Sequence, residues 1–148
     1  MTNTTFRACP WADVLYALDR AWWDKHLDEA KQVFSGLLAS PQKIPGVQRI
    51  MNWVPRERTN SGAMALVLAA YWGARRIVML GYDCQHTDGK THWHGSHPDG
   101  LGDARGVENW PAQFRAISMR LTGAEVVNAS RVSALELFKR TTLEGALQ

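Results

Sequence analysis

Residues 77–81 of this chain, IVMLG, form an unbroken apolar run that ends in Gly81-Tyr82-Asp83. A short run without polar alternation describes a strand buried on both faces, the environment of a central strand in a parallel sheet. Such a strand needs helices to cover it, and one is legible just upstream. Residues 59–74, TNSGAMALVLAAYWGA, offer polar capping candidates, then a helix apolar nearly all the way round, then Gly73 as a stop. A helix of that kind is buried on several sides.

The same alternation recurs along the chain. Residues 12–18, ADVLYAL, read as a buried strand, with Asp19 capping the helix that follows. In residues 20–34, Trp23, Leu27, Ala30 and Phe34 recur at helical spacing, and Gly36 closes the segment. A loop with Pro41, Pro45 and Gly46 leads to residues 47–54, a weaker strand candidate of mixed polarity. Loop residues dominate from 84 to about 106. A helix over 109–121, a short strand over 125–128 and a last helix from Ser133 complete the pattern. Strands alternating with helices predict right-handed crossovers, and hence one Rossmann-like α/β domain over residues 1–148. Its parallel sheet is expected to have about four strands, with helices on both faces.

Composition supports this and excludes several classes. A hydrophobic content of 45% in 148 residues is enough for one core. No apolar run approaches the roughly 18 residues of a membrane span, and the opening MTNTTFRACP lacks a signal-peptide stretch, so a cytoplasmic protein without membrane partners is expected. Two cysteines, Cys9 and Cys84, form no CxxC pair and are expected to be reduced. The net charge of +3 suits an anionic ligand, but Lys and Arg are scattered, so nucleic acid is not indicated. Of the seven tryptophans, Trp22, Trp23, Trp93 and Trp110 lie among polar residues, where an indole can serve a ligand or a partner.

In parallel α/β sheets, ligands bind beyond the carboxyl ends of the strands. That rule selects Asp19, the turn Asn60-Ser61-Gly62, residues 81–83 and residues 128–130, with Gly81, Asp83 and Asn128 among them. At residues 60–62 a loop enters a long helix, whose free N–H groups and dipole favour an anion. Arg56 and Arg58 lie just upstream and would add charge for a phosphate. Plain capping of the helix is an equal reading of the same residues. Asp83 could take a ribose hydroxyl, a metal or a substrate amine, or only bond its own turn.

The loop that follows carries His92, His94 and His97 in HWHGSHPDG, with His86 upstream. Imidazoles at this density can ligate a transition metal with Asp99 or Asp83, or supply a general base near neutral pH. The HxHxxH spacing matches the metallo-β-lactamase motif, but Ser96 stands where that motif has aspartate, and the chain is short for that fold. Zinc is therefore not expected. The alternative is a surface loop folded over the sheet, with its histidines and Trp93 packing and hydrogen bonding.

Taken together, NSGAMALVLAAYWGARRIVMLGYDCQ and THWHGSHPDGL resemble a family of tailed-phage and bacterial proteins of unassigned function. That family is related to the family-42 sialyltransferases and to diphosphokinase-like proteins acting on hydroxymethylpterin. Residues 9–19 with Trp22 and Trp23, residues 126–130, and Ser133-Ala134-Leu135 fit the same pattern, so the resemblance covers nearly the whole chain.

The resemblance implies that Asn60, Ser61, Gly62, Gly81 and Asp83 help to hold a nucleotide sugar, and that one of His92, His94 and His97 is the general base. Relatives usually begin with a further strand and a turn of the form GGGPSL, and residues 1–5 correspond to the end of the strand after it. They also usually carry aspartate where Ser96 stands. Two functions follow as expectations. One is a glycosyltransferase-like protein that binds a nucleotide or nucleotide sugar as donor. The other is an inactive phage protein that binds and inhibits a host defence protein. An exposed sheet edge would also favour a homo-oligomer.

Overall fold

The computed structural model describes residues 1–50, 59–87, 89, 101 and 106–148. The first strand, β1 (Val14–Tyr16), shows why a short apolar run can be buried on both faces. Successive side chains point to opposite sides of a strand. Leu15 and Ala17 enter a core with Phe6, Trp22, Trp23, Ala30 and Phe34, whereas Tyr16 and Leu18 enter a second core with Ala39, Met64 and Leu68.

Helix α1 (Arg20–Val33) covers the first of these faces. Its Trp22 and Trp23 are only 4% and 0% exposed, packed edge to face at 5.0 Å, and Trp23 Nε1 donates to the Ala17 carbonyl at 3.0 Å. Both indoles are therefore core residues and not ligand contacts; their polar neighbours in sequence occupy the helix's outer side. From α1 the chain returns to β2 (Leu37–Ser40), parallel to β1 with Leu15 opposite Leu38, and β3 (Gln48–Arg49) extends the sheet. Gly36 is required by close approach: a Cβ there would lie 2.3 Å from the Ala12 carbonyl oxygen. On the other edge of β1, Tyr16 N–H donates to Met1 O at 2.9 Å and Thr2 bridges to Tyr16.

A second parallel sheet comprises β4 (Arg76–Met79), β5 (Glu125–Asn128) and β6 (Lys139–Arg140), in that order. Helix α2 (Ser61–Tyr71) packs against both sheets: Met64 and Leu68 meet the β1 core, while Ala63, Leu66 and Val67 join Ile77, Met79, Phe114 and Ile117. That double contact is why α2 lacks a polar face. Helix α3 (Trp110–Ile117) carries a proline in its first turn and runs on into a 3-10 turn at Ser118–Leu121. On the remaining face, Ala146 of α4 (Leu143–Ala146) packs with Val78, Val127 and Ala129.

The chain is thus α/β and parallel, with two three-stranded sheets among the described residues in place of the expected single sheet of about four strands. Two further expectations are corrected. Residues 133–138 are not helical; Ser133 Oγ accepts from Leu135 N at 3.1 Å and donates to Tyr82 O at 2.6 Å, local bonding that competes with a helix start. Asp19 occupies the N-cap position of α1, but its side chain makes no capping bond. Of the strand expected over residues 47–54, Gln48–Arg49 is present, and residues 51–54 lie outside the described set. No helix among the described residues is long and apolar enough to cross a membrane.

Candidate functional site

The carboxyl ends of β1, β4 and β5 meet the amino end of α2 through a chain of hydrogen bonds. Leu18 N–H donates to Ser61 Oγ at 3.1 Å, which ties the end of β1 to the first residue of α2. Tyr82, just beyond β4, donates its hydroxyl to Gly62 O at 3.4 Å and its N–H to Ser130 Oγ at 2.8 Å. Asn128 then orders the β5 end: its Oδ1 accepts from Ser130 N at 3.0 Å and its Nδ2 donates to Ser133 Oγ at 3.0 Å. The four segments selected by the strand-end rule, around Asp19, residues 60–62, residues 81–83 and residues 128–130, therefore adjoin one another.

At the start of α2, Asn60 sits in extended backbone and its Oδ1 accepts from Ala63 N at 2.9 Å, so the residue does cap the helix. Its Nδ2 donates to Gln113 Oε1 at 2.8 Å, which fixes the amide's orientation from α3. The Asn60 carbonyl takes Met64 N–H at 3.1 Å. The N–H groups of Ser61 and Gly62 remain without an acceptor among the described residues, and the first turn carries no acidic residue. Gly62 packs closely: a Cβ would lie 3.0 Å from the Tyr82 ring and 3.1 Å from Asn60 Oδ1, so a larger residue would have to displace one of them slightly.

Around this helix start lie groups whose protonation is set by burial. The Asp19 carboxyl is raised above its usual pKa by desolvation. The Tyr16 phenol is raised by burial first and by Asp19 second, so it keeps its proton. Tyr82 is pushed up to about 12 by burial and then by Cys84. Cys84 adopts a left-handed φ of 51° and its thiol is pushed up to about 11, by burial first and Asp83 second. Asp83 Oδ2 accepts from Thr87 Oγ1 at 3.1 Å, and its main-chain carbonyl takes Ala134 N–H at 2.8 Å.

Asn128 is fully buried and both ends of its amide are engaged internally, so its observed work is to order the β5 end. Arg140 had no signal in the sequence. Its guanidinium donates to the carbonyls of Ser130 at 2.8 Å, Arg131 at 3.1 Å and Ser133 at 3.3 Å, bracing the loop beside the site.

Arg56, Arg58, His92, Trp93, His94, Ser96, His97 and Asp99 lie outside the described residues. Among the described residues, no group of three or more His, Cys, Asp or Glu side chains is gathered so as to hold a metal ion. A groove of about 500 Å³, lined by Lys31, Phe34, Leu37 and Val47 among others, borders the first residue of β2. It therefore sits at the opposite end of the strands, and its shape adds nothing to the cluster around α2. No family model, curated protein or solved structure matches this chain.

Proposed function

We propose that this chain binds a phosphorylated ligand of the nucleotide or nucleotide-sugar class beyond the carboxyl ends of β1 and β4, with the anion at the amino end of α2. One observation carries the reading: the Ser61 and Gly62 N–H groups have no acceptor among the described residues, in an 11-residue helix whose first turn lacks acidic groups. Backbone amides and the helix dipole act together on an anion placed there. Arg56 and Arg58 stand within four residues of Asn60 in sequence and supply further positive charge.

The resemblance to sialyltransferase-related proteins extends this to a glycosyltransferase-like role. In that role His92, His94 or His97 takes the proton of an acceptor hydroxyl, whose oxygen attacks the anomeric carbon. The nucleotide leaves with the bond's electron pair, and the start of α2 stabilises its phosphate charge. Calorimetry with a panel of nucleotides and nucleotide sugars tests the binding claim. At least one should bind, and Arg58→Ala should weaken it about tenfold or more, the worth of one charge-assisted bond.

Failure of every member of the panel would favour the second reading, a protein-binding role without turnover. The observation on its side is that Trp11 and Tyr71 leave 76% and 75% of their surface exposed. Aromatic residues of this kind are enriched at binding hot spots.

A further inference from the structure

We infer that Trp11 of one copy of this chain seats in the groove beside β2 of a second copy, and the reverse, in a closed two-fold dimer. The inference is independent of the phosphate reading, because this groove lies at the amino ends of the strands. It assigns Trp11 to the chain's own groove and not to a foreign protein.

The backbone holds the projecting indole and the groove side by side. Residues 10–13 lead into β1 and are bonded to residues 35–37: Ser35 N–H donates to Pro10 O at 3.2 Å, and Leu37 N–H donates to Asp13 O at 2.7 Å. Gly36 and Leu37 also line the groove, together with the buried side chains of Phe34, Leu38 and Val47. Trp11 is not part of that lining, and 76% of its surface is exposed. An indole is highly buried on average, so one left in water beside an apolar groove marks a contact surface. At about 500 Å³ the groove falls within the roughly 300–1,000 Å³ of pockets that take a small ligand, which is room for an indole. Neighbouring Val33 and Leu37, 49% and 40% exposed, extend the apolar surface. A projection and a recess next to each other can meet those of a second copy reciprocally and close on a two-fold axis, whereas on separate faces they would build an open chain.

Charge selects a second copy as the occupant. Asp13, two residues after Trp11, is exposed, and so is Lys31, which lines the groove. Lys31 Nζ donates to Pro45 O at 3.4 Å, and Asp13 acts on the Met1 amino group electrostatically. Neither forms an ion pair among the described residues. The projection therefore carries a negative charge and the groove a positive one. Seating Trp11 in the groove of a second copy brings Asp13 toward the Lys31 of that copy, and the two-fold axis makes the contact twice. Rim charges so arranged fix register and reject wrong partners.

Sedimentation equilibrium on the full chain at micromolar concentration tests the inference. Wild-type protein should dimerise reversibly, and Trp11→Ala, a change at an exposed site, should raise the dimer Kd at least about thirtyfold, the worth of one hot-spot side chain. Asp13→Lys and Lys31→Asp should each weaken the dimer by setting like charges opposite one another. An equimolar mixture of these two variants should associate again, because opposite charges then meet at both contacts, and its recovery shows that both variants are folded. A monomeric wild type overturns the inference, as does a dimer that Trp11→Ala leaves intact. A mixture that stays monomeric, with both variants keeping the wild-type circular dichroism, overturns the reciprocal pairing.

Discussion

Asn60 joins the sequence, the helix and the proposed site in a single side chain. Its oxygen caps Ala63 N while its amide nitrogen reaches Gln113, so Asn60→Ala should cost the roughly 0.5–2 kcal/mol of a lost cap. Asn60→Asp should keep the cap, lose only the donor to Gln113 and fall between the two; urea denaturation ranks the three proteins. Cys84 provides an independent check on burial. Its thiol is only 6% exposed and raised to about 11, whereas Cys9 is partly exposed. A thiol reagent at pH 8 should therefore modify one cysteine quickly and the other only on unfolding. Two fast sites would show that the turn after β4 is open.

At the same scale, Arg7 grips Glu29 with two bonds of 2.6 Å, and that hydrogen bonding lowers the Glu29 pKa below its ordinary 4.5. A carboxylate with a depressed folded pKa stabilises the protein above its unfolded pKa, and this stability is lost as pH falls through the folded value. Both side chains are more than a third exposed, at 44% and 39%, so solvent screening limits the pair to about 0.2–1 kcal/mol. Glu29→Gln should therefore lower stability slightly at pH 7, and the difference should shrink as pH falls below the ordinary carboxylate value and on through the lowered folded one.

Among the elements, the sequence was informative where one environment runs the length of a segment. Residues 77–79 are apolar because β4 lies between α2 on one side and α4 on the other, and the all-round apolarity of 63–70 reflects contact with both sheets. β5 runs from Glu125 to Asn128, as its pattern predicts. By contrast β2 is hemmed between Gly36 and Pro41, residues that read as loop, and β6 has only two residues, both exposed, too few to show a period. The last segment misleads for a different reason, since Ser133 uses its hydroxyl on Leu135, Asn128 and Tyr82 instead of opening a helix.

The candidate site divides in the same way. The strand-end rule finds Asp19, the turn at 60–62, Gly81 and Asp83 from sequence, because it needs only the order of strands and helices. It cannot find Arg140, whose bonds to the carbonyls of Ser130, Arg131 and Ser133 depend on what tertiary packing brings within reach. The tie between sheet and helix can be probed directly. Ser61→Ala would leave the Leu18 N–H buried and unbonded, at a cost of about 1–3 kcal/mol, and amide exchange at Leu18 should quicken accordingly. Unchanged stability and exchange would mean that this bond does not hold α2 to β1.

For the whole molecule, α2 is the common wall of two small sheets, and everything proposed here about ligands depends on its amino end. β4 has a strand neighbour on one edge only, among the described residues, and Leu80 at its end is 56% exposed. Edges of this kind favour pairing with another chain, so light scattering at micromolar concentration should show self-association; a clean monomer would mean that the edge is covered. The central claim concerns the amides themselves. Amide chemical shifts measured during titration with ribose 5-phosphate test it most directly: the largest changes should fall on Ser61 and Gly62, with smaller ones near Asp19 and Asp83. Saturable shifts confined to another surface, or no shifts at millimolar ligand, would contradict it.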